Sequence, residues 1–152
     1  MYRCSMALVM VCLVGGLRAA AAADEETTTI RIGELNQAYV SAFNAQDADE
    51  VAACFRNAGD YTLLTGDTVS GRRSIRAAHE SFFENNPNAK VTGEQVHYRQ
   101  VLPGVVLASG VWEVSDGPAV YPSKGLWFTV IVKRDDQWRY EAMRLVIPAE
   151  PE

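Results

Sequence analysis

Apolar residues between positions 35 and 55 recur at helical spacing, and this stretch predicts two consecutive helices. The first apolar stripe consists of Leu35, Ala38, Tyr39, Ala42 and Phe43. Asp47 and Glu50 then stand three residues apart, as in a capping box, where a short acceptor side chain binds free N–H groups at a helix start. We therefore expect the second helix to begin near Asp47 and to bury Val51, Ala52 and Phe55.

A third helix is predicted after a short strand and a turn. Residues 57–60 read as a turn, residues 61–64 as a strand, and Thr68-Val69 as a segment that pairs back on it. Ser70-Gly71 then opens a helix with a clear apolar stripe. That stripe consists of Ile75, Ala78, His79, Phe82 and Phe83.

From Val91 onward the period changes from helical spacing to two, which predicts four long strands. They are expected at 91–102, 105–115, 126–134 and 137–147, with a tight hairpin turn at Asp135-Asp136. Alternation along the last strand places Trp138, Tyr140, Ala142 and Arg144 on one face.

Helices gathered early and antiparallel strands gathered late predict an α+β fold. We expect a cone-shaped, strongly curved, mostly antiparallel sheet with three helices from the N-terminal half packed on its concave side. A sheet closed on one side by helices leaves a cone, and such a cone usually holds an apolar pocket at its open end.

The first 23 residues resemble an export signal. Arg3 supplies the positive charge, residues 6–17 form an apolar segment too short to span a bilayer comfortably, and Ala21-Ala22-Ala23 offers a cleavage site. We therefore expect a signal peptide at 1–23 and one domain at 24–152, exported to a periplasm or the medium; an uncleaved anchor is the alternative.

Any of Thr27, Thr28 or Thr29 could cap the first helix.

The charge of the chain limits the classes of partner, and its cysteine and histidine content limits the kinds of site. The chain has 14 basic and 19 acidic residues, a net charge of −5 and no basic cluster, which argues against nucleic acid and anionic membranes as partners. Cleavage would leave Cys54 as the single cysteine, expected to be a small buried residue. His79 and His97 fall on different predicted elements, so we expect no metal site, and no cofactor fingerprint is present.

Three stretches resemble the nuclear-transport-factor-2-like superfamily, and in particular its SnoaL-like and SgcJ/EcaC-type proteins. The residues that carry the resemblance are Tyr39 to Asp47 with Phe55, Ser70 to Ile75 with His79 and Phe83, and Gly125 to Val132 with Trp138-Arg139. The resemblance covers about Ile30 to Val146 and implies the α+β cone. This fold hosts isomerases, dehydratases, cyclases and association domains, so the resemblance implies no single reaction.

The stretch from Tyr39 to Asp47 also resembles ketosteroid isomerase, which places a tyrosine of its oxyanion hole on the first helix. That family also needs an aspartate on the first strand, where this chain has Leu63 or Leu64. It needs a second aspartate on the penultimate strand, where this chain has Thr129 or Val130. Two of the three parts are missing, so steroid isomerisation is not expected.

His79, Tyr39 and Arg144 are the candidate catalytic residues. His79 titrates near neutral pH and could act as a general acid or base; the alternative is a core histidine bonded to a backbone carbonyl or a nearby side chain. Tyr39 and Arg144 would stabilise developing negative charge, or Tyr39 could bond within the core and Arg144 could pair with Glu113 or Glu141. The candidate ligand-binding residues are Trp112, Trp127, Phe43 and Phe83; the alternative for the two tryptophans is a place in the core or in a dimer interface. Asp60 and Asp67 flank the first strand and could be carboxylates at the pocket rim, or turn residues that bond locally.

The sequence is compatible with two functions and does not decide whether the protein is an enzyme. The first is an exported domain that binds a small apolar or polyketide-like ligand, with isomerase-like or lyase-like acid–base catalysis. The second is a non-catalytic homodimeric association module or an accessory protein of the envelope. A dimer would use the convex face of the long strands, where Phe128, Val130 and Val132 form an apolar patch.

Overall fold

Three helices and a six-stranded sheet follow the order that the sequence pattern predicts. A computed structural model describes residues 10–118 and 123–147, with side chains from residue 25 onward. The elements are α1 Met10–Asn44, α2 Ala48–Ala53, β1 Phe55–Thr62, β2 Thr68–Ser70, α3 Arg72–Asn85, β3 Lys90–Leu102, β4 Val105–Ser115, β5 Lys124–Arg134 and β6 Gln137–Val146. The chain divides into two compact units, Met1–Gly33 and Glu34–Glu152.

The sheet belongs to the second unit and has the strand order β2-β1-β6-β5-β4-β3. Every neighbouring pair is antiparallel except β1 with β6, which is parallel. On β4 and β5 alternate residues are buried, so each of these strands has an inner face towards the core and an outer face. The predicted α+β fold, with helices packed on a mostly antiparallel sheet, is confirmed.

The helix corner forms as predicted. Asp47 caps α2, and its carboxylate accepts the backbone N–H of Glu50 at 2.9 Å. Asn44, the last residue of α1, fixes the corner to β3, because its side chain donates to the carbonyl of Val91 at 2.9 Å and accepts the N–H of the same residue at 2.7 Å. Beneath the corner Phe43, Val51, Phe83 and Val91 belong to one buried cluster.

The first helix begins earlier than the threonine caps predict. Residues 10–33 of the first unit are already helical, and the hydroxyl of Thr29 donates to the carbonyl of Glu25 at 2.9 Å, four residues back. Alanine is the strongest helix former, and the run of alanines before Asp24 offers no stop signal. Arg3 of the predicted signal lies outside the described residues. Among the described residues no helix is long and apolar enough to cross a membrane.

The first strand also begins earlier than predicted. β1 starts at Phe55, which is fully buried but belongs to a strand rather than to α2. The predicted turn at 57–60 is wrong, because these residues continue β1, with an irregular register against β6 between Phe55 and Asp60. Cys54, just before the strand, is buried and free, as predicted.

The remaining elements match the pattern closely. α3 buries Ile75, His79 and Phe83, the core of the predicted stripe. Asp135 and Asp136 both adopt positive φ, +50° and +59°, which is the conformation that a two-residue hairpin turn requires. The four long strands lie within two residues of their predicted bounds.

The last strand departs from simple alternation. Val130 pairs with Ala142 and Ile131 pairs with Tyr140, so Glu141 is an extra residue on β6 and forms a β-bulge. The bulge reverses the alternation, and the buried residues are therefore Tyr140 and Met143, three positions apart. The prediction that Arg144 shares a face with Tyr140 is wrong for this reason.

Candidate functional site

His79 lies in the core of the second unit with both ring nitrogens engaged. The side chain is 3 % exposed. Its Nδ1 lies 2.9 Å from the carbonyl oxygen of Ile75, one helical turn back. A carbonyl oxygen can only accept, so Nδ1 carries the hydrogen and Nε2 is the unprotonated acceptor. The hydroxyl of Tyr39 lies 3.3 Å from Nε2 and therefore donates to it.

Burial keeps this pair uncharged. Desolvation lowers the pKa of His79 from its ordinary value of 6.5 to about 4, although the bond to the Ile75 carbonyl opposes the shift. Burial also raises the pKa of Tyr39 well above its ordinary value. Burial likewise raises the pKa of Tyr61, whose ring packs against His79, to about 12. At neutral pH the site therefore holds a neutral imidazole and protonated phenols.

Aromatic rings surround the pair. The ring centroid of Tyr61 lies 5.0 Å from that of His79, and Phe83 and Phe43 follow at 6.0 and 6.2 Å. Tyr140 packs edge-on against Tyr39 at 5.9 Å. The structure thus brings together four of the predicted site residues: Tyr39, Phe43, His79 and Phe83.

The two predicted tryptophans lie apart from this cluster, on the inner face of β4 and β5. Each indole covers a glycine of the neighbouring strand, since Trp112 pairs with Gly125 and Trp127 pairs with Gly110. A Cβ at either glycine would lie 2.6 to 2.7 Å from the covering ring. Each indole N–H donates to a backbone carbonyl on the opposite strand. Both tryptophans are buried and belong to the apolar core on the inner face of the sheet.

Arg144 does not join the other candidates. It lies opposite Phe128 on the outer face of the sheet, and its guanidinium forms an ion pair with Asp60 on β1. Its partner is therefore neither Glu113 nor Glu141, the two that were expected. Glu141 pairs with Arg56 instead, at 2.8 Å. Asp60 lies in a strand rather than in the expected turn, whereas Asp67 accepts from Thr65 in a turn as expected.

A second chain of polar side chains lies on the inner face, where the sequence pattern predicts none. The buried hydroxyl of Tyr140 donates to Oδ1 of Asn36 at 2.6 Å, and Nδ2 of Asn36 donates to Oε1 of Gln95 at 2.9 Å. Asn36 stands three residues before Tyr39, so the two share a face of α1. That polar residue within an apolar stripe was the available signal.

The second chain joins strands that are not neighbours in the sheet. Tyr140 lies on β6 and Gln95 on β3, three strand positions apart. Asn36 of α1 bonds to both side chains and therefore links them across the inner face.

An open groove of about 610 Å³ lies elsewhere, at the helix corner. Its charged lining residues are Asp47, Asp49, Arg76, Glu80 and Glu84. Phe83 is the candidate residue that reaches this groove, whereas Tyr39 and His79 do not line it. Within the described residues no group of three or more His, Cys, Asp or Glu side chains could hold a metal ion.

The outer face of the sheet is apolar at its centre. Leu107 and Val111 of β4 are each 41 % exposed, and Phe128 of β5 is 47 % exposed. Val130 and Val132 share the face of Phe128 and are half-buried. Phe128, Val130 and Val132, the residues of the predicted apolar patch, therefore lie on the outer face of the sheet.

Residues 36–141 match the SnoaL-like domain family. The chain belongs to this family. The match includes Asn36 and Tyr39 of α1, as well as His79 and Gln95. No curated protein matches the chain significantly.

Solved structures of the same fold share little sequence with this SnoaL-like domain. A cystatin-like protein from Caulobacter vibrioides has 24 % identity and a TM-score of 0.69, over 80 % of this chain and 90 % of that chain. A domain from Nostoc punctiforme has 22 % identity and a TM-score of 0.69, over 81 % and 77 %. A proposed scytalone dehydratase from Novosphingobium aromaticivorans has 14 % identity and a TM-score of 0.69, over 84 % and 90 %. At these identities the likeness establishes the fold.

Proposed function

We propose that this SnoaL-like domain binds a small apolar or polyketide-like molecule on the inner face of its sheet, and that the Tyr39–His79 pair transfers a proton in an isomerase-like or lyase-like reaction. The observation that carries the proposal is the direction of the hydrogen bonds at His79. Because Nδ1–H is held by the Ile75 carbonyl, the basic nitrogen is directed at the Tyr39 hydroxyl.

In the proposed reaction the phenol of Tyr39 passes a proton from the ligand to His79. A ligand proton moves to Tyr39 Oη while the phenolic proton moves to Nε2 of His79, so that Tyr39 remains neutral. A pKa of about 4 makes His79 a weak base. Negative charge that develops on the ligand would raise this pKa by coulombic attraction and favour the transfer. The scytalone dehydratase description of one structural relative is compatible with such a role.

We further propose that the protein is exported after cleavage near Asp24, that it belongs to the SgcJ/EcaC-type group, and that it forms a homodimer. The first rests on the N-terminal sequence pattern and the second on the sequence resemblance. The third rests on the exposed apolar side chains of the outer face, which include Leu107, Val111 and Phe128.

Native mass spectrometry tests the binding proposal most directly. The full chain is expressed in a bacterial host and purified without denaturation. We expect a dimer that begins near Asp24 and carries a small non-protein mass, which tandem spectrometry then identifies. The variants Tyr39→Phe and His79→Gln should lose conversion of that molecule, whereas His97→Gln, at an exposed site on β3, should retain it. Unchanged conversion by both site variants would contradict the proposed chemistry.

A second candidate function is a non-catalytic homodimeric module, and the outer-face apolar patch favours it. Phe128→Glu should convert the dimer into a monomer in sedimentation experiments, because two carboxylates would meet in an apolar interface. Ser81→Glu on the exposed side of α3 serves as the matched control. Dimerisation without any bound molecule or turnover would favour this second function, and a wild-type monomer would exclude it.

A further inference from the structure

Gln95 is held in one orientation by the chain of hydrogen bonds that starts at Tyr140. The Tyr140 side chain is 2 % exposed, and the acceptor that the described residues offer its hydroxyl is Oδ1 of Asn36. A buried phenol needs an acceptor for its hydrogen, and this fixes the Asn36 amide with its oxygen towards Tyr140. Nδ2 of Asn36 then donates to Gln95, whose Oε1 must be the atom that accepts.

The fixed orientation leaves the amide NH₂ group of Gln95 as the donor that remains for other partners. Gln95 is half-buried on the inner face of the edge strand β3 and pairs with Gly110 of β4. Trp127 covers Gly110, and a Cβ at that glycine would lie 2.6 Å from the indole ring. The amide therefore stands beside the ring of Trp127 on the inner face.

The residue two positions before Gln95 on the same face, Gly93, has no side chain and is exposed. A Cβ at this position would make ordinary contacts with the Val111 carbonyl oxygen at 3.8 Å and with Val40 and Nε1 of Trp127 at 4.0 Å. The indole N–H is already bonded to the carbonyl of Val111 at 3.1 Å. Trp127 is 9 % exposed, so what it contributes is the carbon surface of its ring beside Gly93, and Gln95 offers the polar donor at the edge of that ring.

We infer that Gln95 is a specificity-determining residue that donates a hydrogen bond to a carbonyl oxygen of the ligand, while Asn36 and Tyr140 are positioning residues that hold its amide. The inference rests on the proposed function, since it assigns a polar contact to the small molecule bound there. The ligand class is a flat molecule with a carbonyl group, placed against Trp127. An amide nitrogen cannot accept a hydrogen bond, so ligands that present a donor at that position are disfavoured.

Two pairs of probes, each differing by one carbonyl oxygen, test the inference on the full chain. They are 1-tetralone with tetralin, and 9-fluorenone with fluorene, with binding measured by ligand-observed NMR and calorimetry. We expect each ketone to bind about fivefold more tightly than its hydrocarbon, the contribution of one net hydrogen bond. Gln95→Leu should abolish this ratio. Gln100→Leu, at an exposed position of the same strand, should retain it.

Tyr140→Phe tests whether Tyr140 positions the Gln95 amide through Asn36, separately from the contact between Gln95 and the ligand. The ring still packs, but Asn36 loses the donor that fixes its amide, so the ketone preference should fall while the affinity for the hydrocarbon stays the same. Equal binding of ketone and hydrocarbon to the wild type, or an unchanged ratio in Gln95→Leu, would overturn the inference and leave small-molecule binding intact. Failure of all four probes to bind would contradict the proposed function as well.

Discussion

Acid should destabilise this protein through His79, and the effect can be calculated. Unfolding returns the imidazole to a pKa of 6.5, whereas the folded pKa is about 4. Between these values the unfolded chain binds more protons than the folded chain, so the free energy of unfolding falls as the pH is lowered. From pH 7 to pH 5 the expected loss is about 2 kcal/mol, and it stops growing below the folded pKa.

The physical source of this loss is the fixed hydrogen bonding around the ring. Protonation would place a hydrogen on Nε2, where the hydroxyl of Tyr39 already donates, and would bury a positive charge among aromatic rings. Neither nitrogen of the charged ring could accept. The folded state therefore excludes the proton until the pH approaches 4.

Urea denaturation monitored by tryptophan fluorescence provides the assay, at pH 7, 6 and 5 with fixed salt and protein concentration. Carboxylates titrate mostly below this range, so the change is expected to come mainly from His79. His79→Gln keeps an oxygen that can accept from Tyr39 but does not titrate, and its stability should be nearly independent of pH. The exposed residue His97 supplies the control, because His97→Gln should behave as the wild type. The reasoning fails if His79→Gln and the wild type lose equal stability.

Three further changes probe the fold by the same denaturation assay. Asp47→Ala removes the cap of α2 and should cost about 1 kcal/mol, whereas Asp49→Ala at an exposed site should cost less. Gly125→Ala places a methyl group 2.6 Å from a backbone oxygen and should cost about 1–3 kcal/mol; Gly33→Ala, in a helix with nothing within 4 Å, should instead add about 0.5–1 kcal/mol. Arg144→Gln breaks an exposed ion pair and should cost less than about 1 kcal/mol without changing ligand affinity.

Local signals predicted much of the fold because each depends on a few adjacent residues. The cap at Asp47, the stripe of α3 and the turn at Asp135-Asp136 all follow from such short-range rules, and all three are confirmed. The start of β1 was missed because Asn57-Ala58-Gly59-Asp60 has the composition of a turn. Pairing with β6 makes these residues a strand in spite of that composition. Because β6 is distant in sequence, no residue near β1 predicts this pairing.

The site was harder to predict than the fold because its polar groups come from distant elements. His79 and Tyr39 stood out as polar groups within helical stripes, and the structure places them in contact. Gln95 and Tyr140 occupy strands that are not neighbours in the sheet, and alternation along either strand cannot predict that both side chains bond to Asn36 of α1.

The bulge at Glu141 explains why alternation failed at Arg144. One extra residue shifts every later side chain of a strand to the opposite face, so Met143 is buried and Arg144 is half exposed. Without the shift the guanidinium would occupy the position of Met143 in the core, where an unpaired charge is very unfavourable. Glu141 also pairs with Arg56, which lies in the irregular part of β1 facing the bulge. Because Tyr140 precedes the bulge, it keeps its inward direction, and one inserted residue both removes Arg144 from the inner face and leaves Tyr140 there.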